Sequence, residues 1–328
     1  MKEIIIKKEF SNQRADKFVR KYLNDAPLSF IYKLFRKKDI KVNGHWIKQD
    51  YILKENDLLR IYVNDEQLSE FIKPLEYLKD NFDIDIIYED KNILIINKPS
   101  GILVHGDSNE KRITLTNKVL GYLINKSEFN PNDRGFIPSP CHRLDRNTSG
   151  LIIYAKNIIS SQILMNEFKN HDNLIKTYIG LVKGEVTKPG EINAPLYKDE
   201  DTGKVLIRSL KEGGKKALTI YTPITFNKDF SLLKLSLITG RTHQIRVHTS
   251  YIGHPLVGDS KYGDFKLNKE FEKNYNYKNQ FLHSYSITFK VIPGILSYLS
   301  NKTFIAKIPN NKLKILNQIY NNFNPNNI

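Results

Sequence analysis

The sequence predicts an α+β protein: a small N-terminal αα-β unit, then a larger domain with a mixed, mostly antiparallel sheet and flanking helices. Three observations predict it. Apolar residues recur at helical spacing twice within the first forty positions. From residue 83 onward, runs of alternating apolar and polar residues follow one another, with only a few helical stretches between them. Consecutive strands with a few inserted helices suggest an α+β domain built on a mixed or mostly antiparallel sheet.

Residues 1–70 form the first expected unit. Ala15, Phe18, Val19 and Leu23 share one helical face after Arg14. A second helix is expected from Ser29, a suitable N-cap, with Phe30, Ile31, Leu34 and Phe35 on its apolar face. Lys33, Arg36, Lys37 and Lys38 crowd the rest of that helix. Ile40 and Val42 lead into Asn43-Gly44, a hairpin signal between apolar runs, and DLLRIYV reads as a closing strand. Residues 64–80 are polar, contain Pro74 and read as a linker, so the expected division is 1–70, a linker over 71–82, and 83–328.

In the second unit, DIDIIYE and NILIINK read as strands joined near Asp90-Lys91. ITLTNKVLGYLI reads as a helix, SGLIIYAK as a buried strand, and NIISSQILMNEFKN as a helix capped by Asn157. IKTYIGLVKG, ALTIYTPITFN, FSLLKLSLI and FLHSYSITFKV read as further strands. RTHQIRVHTSYIG is expected to be a helix opening after Gly240. The Asn-rich tail NNFNPNNI is expected to fray.

With 328 residues, 40% of them hydrophobic, the chain suits one large core plus a smaller one. No apolar run approaches the roughly eighteen residues of a membrane span, and MKEIIIKKEF lacks a signal-peptide core, so a cytoplasmic protein without membrane partners is expected. A lone Cys141 excludes an internal disulfide and a cysteine-based zinc site. The formal charge is +16, from 51 basic and 35 acidic residues. An excess of this size favours polyanionic partners, although a composition rich in Lys, Asn and Ile accounts for part of it.

Two polar clusters stand out. In CHRLDRNTSGLIIYAK, Asp145 lies between Arg143 and Arg146 in a loop before a buried strand. Flanking guanidinium groups favour an ionised carboxylate, which can serve as nucleophile or base, or as half of a structural ion pair. In TGRTHQIRVH, Arg241, His243, Arg246 and His248 fall within eight residues. The histidines lack the i, i+4 spacing of a helical zinc pair and have no nearby Glu as a further ligand, so no metal is expected; a phosphate-binding helix start after Gly240 is physically reasonable. Tyr178 opens a strand, where tyrosine is either a packing residue or a ring on which a base stacks.

HRLDRNTSGLIIYAK resembles the signature of the large-ribosomal-RNA pseudouridine synthases of the RluA, RluC and RluD types. INKPSGILVHG, KTYIGLVKG, LITGRTHQIRVHTSYIGHPLVGDSKYG and FLHS match the same family in order, over residues 80–295. RADKFVRKYL and FRKKDIKVNGHWI resemble the small RNA-binding domain of ribosomal protein S4, a combination closest to the RluC type. The resemblance implies the pseudouridine synthase fold and cofactor-free isomerisation of uridine to pseudouridine in RNA. Ribosomal RNA is the foremost substrate, with tRNA left open, and a monomer is the default expectation. It also implies roles: Asp145 as catalytic carboxylate, Tyr178 as the active-site tyrosine, and Arg241 as the basic residue paired with Asp145. Lys33, Arg36, Lys37 and Lys38 on the S4-like unit are expected to bind RNA, as are Arg143, Arg146, His243 and Arg246 near the site. A non-catalytic RNA-binding or ribosome-assembly factor would share the charge and the first unit but would not require that catalytic set. A metal-dependent nuclease would require clustered carboxylates, which the sequence around Asp145 lacks.

Overall fold

The computed structural model describes residues 1–328 apart from 80–82, 107–109, 111–112, 133–134, 171 and 322. The end of the expected linker, 80–82, and Asn322 of the Asn-rich tail therefore lie outside the described residues.

The N-terminal unit opens with β1 (Lys2–Ile5), α1 (Ala15–Tyr22) and α2 (Leu28–Arg36). It continues with β2 (Ile40–Val42), β3 (His45–Trp46) and β4 (Leu58–Ile61). The strands pair antiparallel in the order β1-β4-β2-β3. The helices bury the apolar faces expected of them: Ala15, Phe18 and Val19 on α1, and Ile31, Leu34 and Phe35 on α2. Asn43 and Gly44 both have positive φ, 50° and 86°, as a type I′ hairpin turn requires. α2 begins two residues earlier than an N-cap at Ser29 would place it: Pro27 occupies the N-cap and its carbonyl accepts from Phe30 and Ile31, so Ser29 lies inside the first turn.

The segment expected to be a linker begins instead with α3 (Asp65–Phe71). Asn64 and Gln67 form a reciprocal capping box at its start, and Phe71 packs on Phe30 with ring centroids 4.7 Å apart.

The larger unit contains β5 (Ile86–Glu89), β6 (Ile93–Lys98), α4 (Leu115–Asn125), β7 (Ser139–Pro140), β8 (Ser149–Ala155) and α5 (Ile158–Asn170). It continues through β9 (Leu174–Lys183), β10 (Gly190–Asn193), β11 (Leu196–Lys198), β12 (Val205–Ile207), β13 (Leu218–Phe226) and β14 (Phe230–Leu237). It ends with α6 (Gln244–Tyr251), α7 (Phe265–Tyr275), β15 (Leu282–Phe289), β16 (Thr303–Ile305) and α8 (Asn310–Tyr320). Among the described residues the main sheet runs β10-β13-β14-β9-β15-β8-β6-β5, with β16 beside β15 and β7 beside β8. Its pairings are antiparallel except for β15 with β8, so the expected mixed, mostly antiparallel sheet is present.

Alternation along β6 sorts the core. Leu94 and Ile96 pack with Leu115, Val119 and Leu123 of α4, whereas Ile93 and Ile95 join Leu164 and Phe168 of α5 on the other face. Asn157 caps α5 as expected, accepting from Ser160 at 2.9 Å. The second face and the N-terminal core belong to one cluster, which includes Phe10 and Phe136. Gln13 donates to the Gly135 carbonyl at 3.2 Å, and Gln162 of α5 donates to the Asn12 carbonyl at 2.9 Å.

Gly150 is the tightest point of the parallel pairing. Its φ is +110°, and a Cβ there would lie 2.2 Å from the Ser284 carbonyl oxygen. Gly150→Ala combines backbone strain with a clash against rigid backbone. It should cost about 3 kcal/mol or more, read as a lowered urea midpoint. An unchanged midpoint would contradict this packing.

Candidate active site

Asp145 lies in the loop joining β7 to β8, and that loop is held by its backbone. Lys98, buried at the end of β6, donates to the carbonyls of Pro99, Ile102 and Arg146, each at 2.9 Å. Three ammonium protons thus meet three acceptors. Burial pulls the Lys98 pKa down to about 7, and the negative charge of Asp145 opposes that fall. Ser100 Oγ donates to the Asn147 carbonyl at 2.6 Å, and the Gly101 N–H donates to the Arg146 carbonyl at 2.9 Å. On the far side, Gln280 Nε2 donates to Thr148 Oγ1 at 2.9 Å.

The guanidinium on the Asp145 carboxylate comes from Arg246, not from Arg241. Arg246 Nη1 donates to Asp145 Oδ2 at 2.9 Å. Its Nε and Nη2 form a two-pronged pair with Asp259, at 2.7 and 2.8 Å. The Asp259 side chain is 1% exposed, that of Arg246 8% and that of Asp145 28%. Burial alone would raise the Asp259 pKa and lower that of Arg246. Their mutual hydrogen bonds and charge outweigh burial, holding the carboxylate below its ordinary range and the guanidinium above its own. The backbone N–H groups of Lys261 and Tyr262 also donate to Asp259 Oδ1, at 2.9 and 3.1 Å.

Helix α6 delivers Arg246. It opens later than the sequence suggests, at Gln244, because His243 adopts the left-handed conformation (φ 54°) and turns the chain. The Gln244 amide is fully used. Its oxygen accepts from Thr239 Oγ1 and the Arg241 N–H, and its nitrogen donates to the Leu218 carbonyl and Thr219 Oγ1. His243 Nδ1 lies 2.9 Å from the Tyr262 hydroxyl, and its Nε2 lies 3.9 Å from Asp145 Oδ2. His248 is buried between Thr219 Oγ1 and the Ala194 carbonyl, which makes it a fastening for α6.

A cavity of about 750 Å³ opens over Asp145. Tyr178, Arg241, His243, Arg246, Arg143 and Arg146 line it too, so the structure brings together every expected residue near the site. Their environments differ. Arg143, Arg146 and Arg241 are exposed, and Arg241 Nε donates to the Lys216 carbonyl at 3.0 Å. Tyr178 is buried on β9 among Leu144, Val182, Leu235 and Leu282; burial, together with the charge of Asp145, pushes its hydroxyl up to about 12, so it stays protonated at neutral pH. Lys33, Arg36, Lys37 and Lys38 are exposed on the N-terminal unit and form no part of this cavity. Cys141 is buried with its thiol pushed up to about 12, so it is not a nucleophile at neutral pH.

Sequence reasoning missed Asp259, Lys98 and Tyr262. Asp259 sits in HPLVGDSKYGD, which reads as a run of tight turns. Its Gly258 and Gly263 do make close backbone approaches, but the Asp between them carries the anchor.

The family model for RNA pseudouridylate synthase matches residues 92–251, a span holding both the Asp145 loop and α6. The chain is 34% identical to an uncharacterized RNA pseudouridine synthase of Mycoplasma capricolum, over 93% of this chain and 97% of that protein. It is 36% identical to ribosomal large subunit pseudouridine synthase C of Vibrio parahaemolyticus, over 87% of each. It is 30% identical to the RNA pseudouridine synthase YlyB of Bacillus subtilis, over 98% of each. The solved structure of human RNA pseudouridylate synthase domain containing 4 shares the fold, with a TM-score of 0.55 at 24% identity, over 71% of this chain and 92% of that one. Relatives matched nearly end to end, on a common fold, establish that this chain belongs to the RNA pseudouridine synthase family.

Proposed function

We propose that this enzyme isomerises uridines of large-subunit ribosomal RNA with Asp145 as the catalytic carboxylate, working as a monomer in the cytoplasm. One observation carries the catalytic assignment: a partly exposed carboxylate, fixed by a buried guanidinium at 2.9 Å, at the wall of a cavity rich in arginine. The ribosomal target rests on the relatives named ribosomal large subunit pseudouridine synthase C. Among the described residues no helix is long and apolar enough to cross a membrane.

A uridine stacked in RNA cannot reach such a wall, so it is flipped into the cavity. Arg143, Arg146 and Arg241, exposed around the cavity, then meet the backbone phosphates. Two routes are open to Asp145: attack on C1′, or removal of a ribose proton to start cleavage. On either route the C1′–N1 bond breaks, the uracil turns and C1′–C5 forms; on the first route the Asp145–C1′ bond breaks as C5 bonds to C1′, and on the second the proton taken from the ribose is returned to it. C5 then gives up its proton and N1, freed from the sugar, takes one up, so the net change is an isomerisation. Both routes need the carboxylate held still, and Arg246 with Asp259 behind it supplies that. Tyr178 offers a ring for the base and a protonated hydroxyl. The S4-like unit, residues 1–70, adds RNA affinity through Lys33, Arg36, Lys37 and Lys38.

Asp145→Asn keeps shape and removes the carboxylate. Pseudouridine formation in ribosomal RNA should vanish while RNA affinity stays within about twofold, since phosphate contacts dominate affinity; retained turnover would falsify the assignment. The two arginines separate by rate. Arg246→Ala should lower the single-turnover rate on the order of a hundredfold or more, as expected when a reacting group loses its placement. Arg241→Ala should act mainly on RNA affinity and its salt dependence. The reverse ranking would return the pairing role to Arg241. For Tyr178, the Phe variant should outperform the Ala variant; equal rates would remove the stacking role.

A further inference from the structure

The chain has one tryptophan, Trp46, and it is 51% exposed on β3, far from any core role. It pairs across the hairpin with Lys41, so the two side chains share the sheet face opposite buried Ile40 and Val42. Lys38 Nζ stands over the indole, 5.0 Å from the ring centroid, and Lys41 Nζ stands 5.0 Å over Tyr62, itself 38% exposed. A groove of about 560 Å³ runs beside Trp46, lined in part by Asn43, Ile47, Lys48 and Tyr51.

The backbone beneath Lys38 supplies an independent observation. Helix α2 ends with the Lys38 N–H on the Phe35 carbonyl at 3.1 Å and the Asp39 N–H on the Leu34 carbonyl at 2.9 Å. This six-to-one and five-to-two pattern places its left-handed residue at Lys38, φ +64°. Glycine fits that position without strain, and a lysine there is strained. A strained backbone position that carries a long cation over an exposed indole points to a use for the cation.

We propose that Trp46 is a base-stacking platform: an unpaired nucleobase of the RNA substrate lies on the indole, and Lys38, Lys41 and Lys48 meet the flanking phosphates. Every base has a π-face, so a lone exposed indole ringed by cations suits single-stranded RNA of any sequence. Duplex RNA, with its bases stacked and buried, offers the indole nothing. The proposal rests on the reading of the N-terminal unit as RNA-binding, and assigns that surface a class of RNA structure.

Because Trp46 is the sole tryptophan, its emission reports on this site alone. Full-length protein is titrated with a single-stranded RNA decamer and with the same sequence as a duplex. Binding is followed separately by anisotropy of the labelled RNA. The single strand should quench Trp46 emission with the same midpoint as the anisotropy change, and the duplex should bind without quenching. Trp46→Ala should lose about tenfold in single-strand affinity, and Trp46→Phe should keep most of it. Lys38→Gly separates use from scaffolding: thermal stability should be equal or higher as the strain is relieved, while single-strand affinity falls. Quench-free binding of the single strand, parental affinity in Trp46→Ala, or destabilisation with unchanged affinity in Lys38→Gly would each overturn the proposal. A Lys33→Ala, Lys37→Ala double variant tests the underlying reading apart from it. Parental affinity there would count against the basic helix, whereas reduced affinity with an inert Trp46 would count against the stacking alone.

Discussion

A guanidinium as buried as that of Arg246 is stable only among anions, and this one has two of unequal character. Asp259, sealed and further held by two backbone N–H groups, takes two of its nitrogens and cannot move. The third nitrogen is thereby fixed in space, and Asp145 binds to it from the rim of the cavity. Removing one carboxylate would leave a buried charge short of a partner, a loss on the order of 3–5 kcal/mol. The arrangement therefore ties stability to the position of the proposed catalytic group. It also makes α6 a fixed part of the site, fastened to β13 by Gln244 and His248.

The sheet completes the constraint from the other side. β8 begins four residues after Asp145, and Gly150 lets β15 approach within a distance that no side chain would allow. Lys98 from β6 and Lys312 from α8 both reach this region, the first on the Arg146 carbonyl and the second on Ser149 Oγ at 2.8 Å. Two buried lysines on adjoining backbone are a large electrostatic cost, and both are pulled toward neutrality by burial. A loop held this way keeps its carboxylate aimed without relying on substrate. α5 extends the rigidity outward: Gln162 holds the N-terminal unit, and Phe168 on the same helix lines the cavity.

Much of this was legible in the sequence, and the rest failed for identifiable reasons. Apolar runs located the strands: β6 reads as the continuous run Ile93 to Ile96 because its two faces enter two different cores. Asn43-Gly44 announced its turn because these two residues readily take the paired positive φ of a type I′ hairpin turn. Asp145 stood out because charge clustered around it just before an unbroken apolar strand, SGLIIYA, and the family resemblance then supplied its role. The partner arginine was misassigned because pairing across 101 residues leaves no local trace, and Arg241 and Arg246 differ only by where a helix opens. His243 decides that opening by adopting a left-handed backbone, which a histidine seldom does. Lys98 was overlooked because lysine is almost never fully buried without partners, and its partners are carbonyls that no sequence pattern displays. The polar stretch 64–80 reads as a linker, yet Asn64 and Gln67 spell the capping box that opens α3.

Asp259 holds Arg246, and Arg246 holds Asp145. Asp259→Asn alters that anchor at a buried position behind the arginine, and its single-turnover rate on ribosomal RNA tests the dependence most directly. In a variant shown by circular dichroism to be folded and by titration to bind RNA with parental affinity, the rate should fall on the order of a hundredfold, and a crystal structure should show the Asp145 carboxylate displaced. A parental rate in that folded variant would mean that Asp145 needs no such anchor.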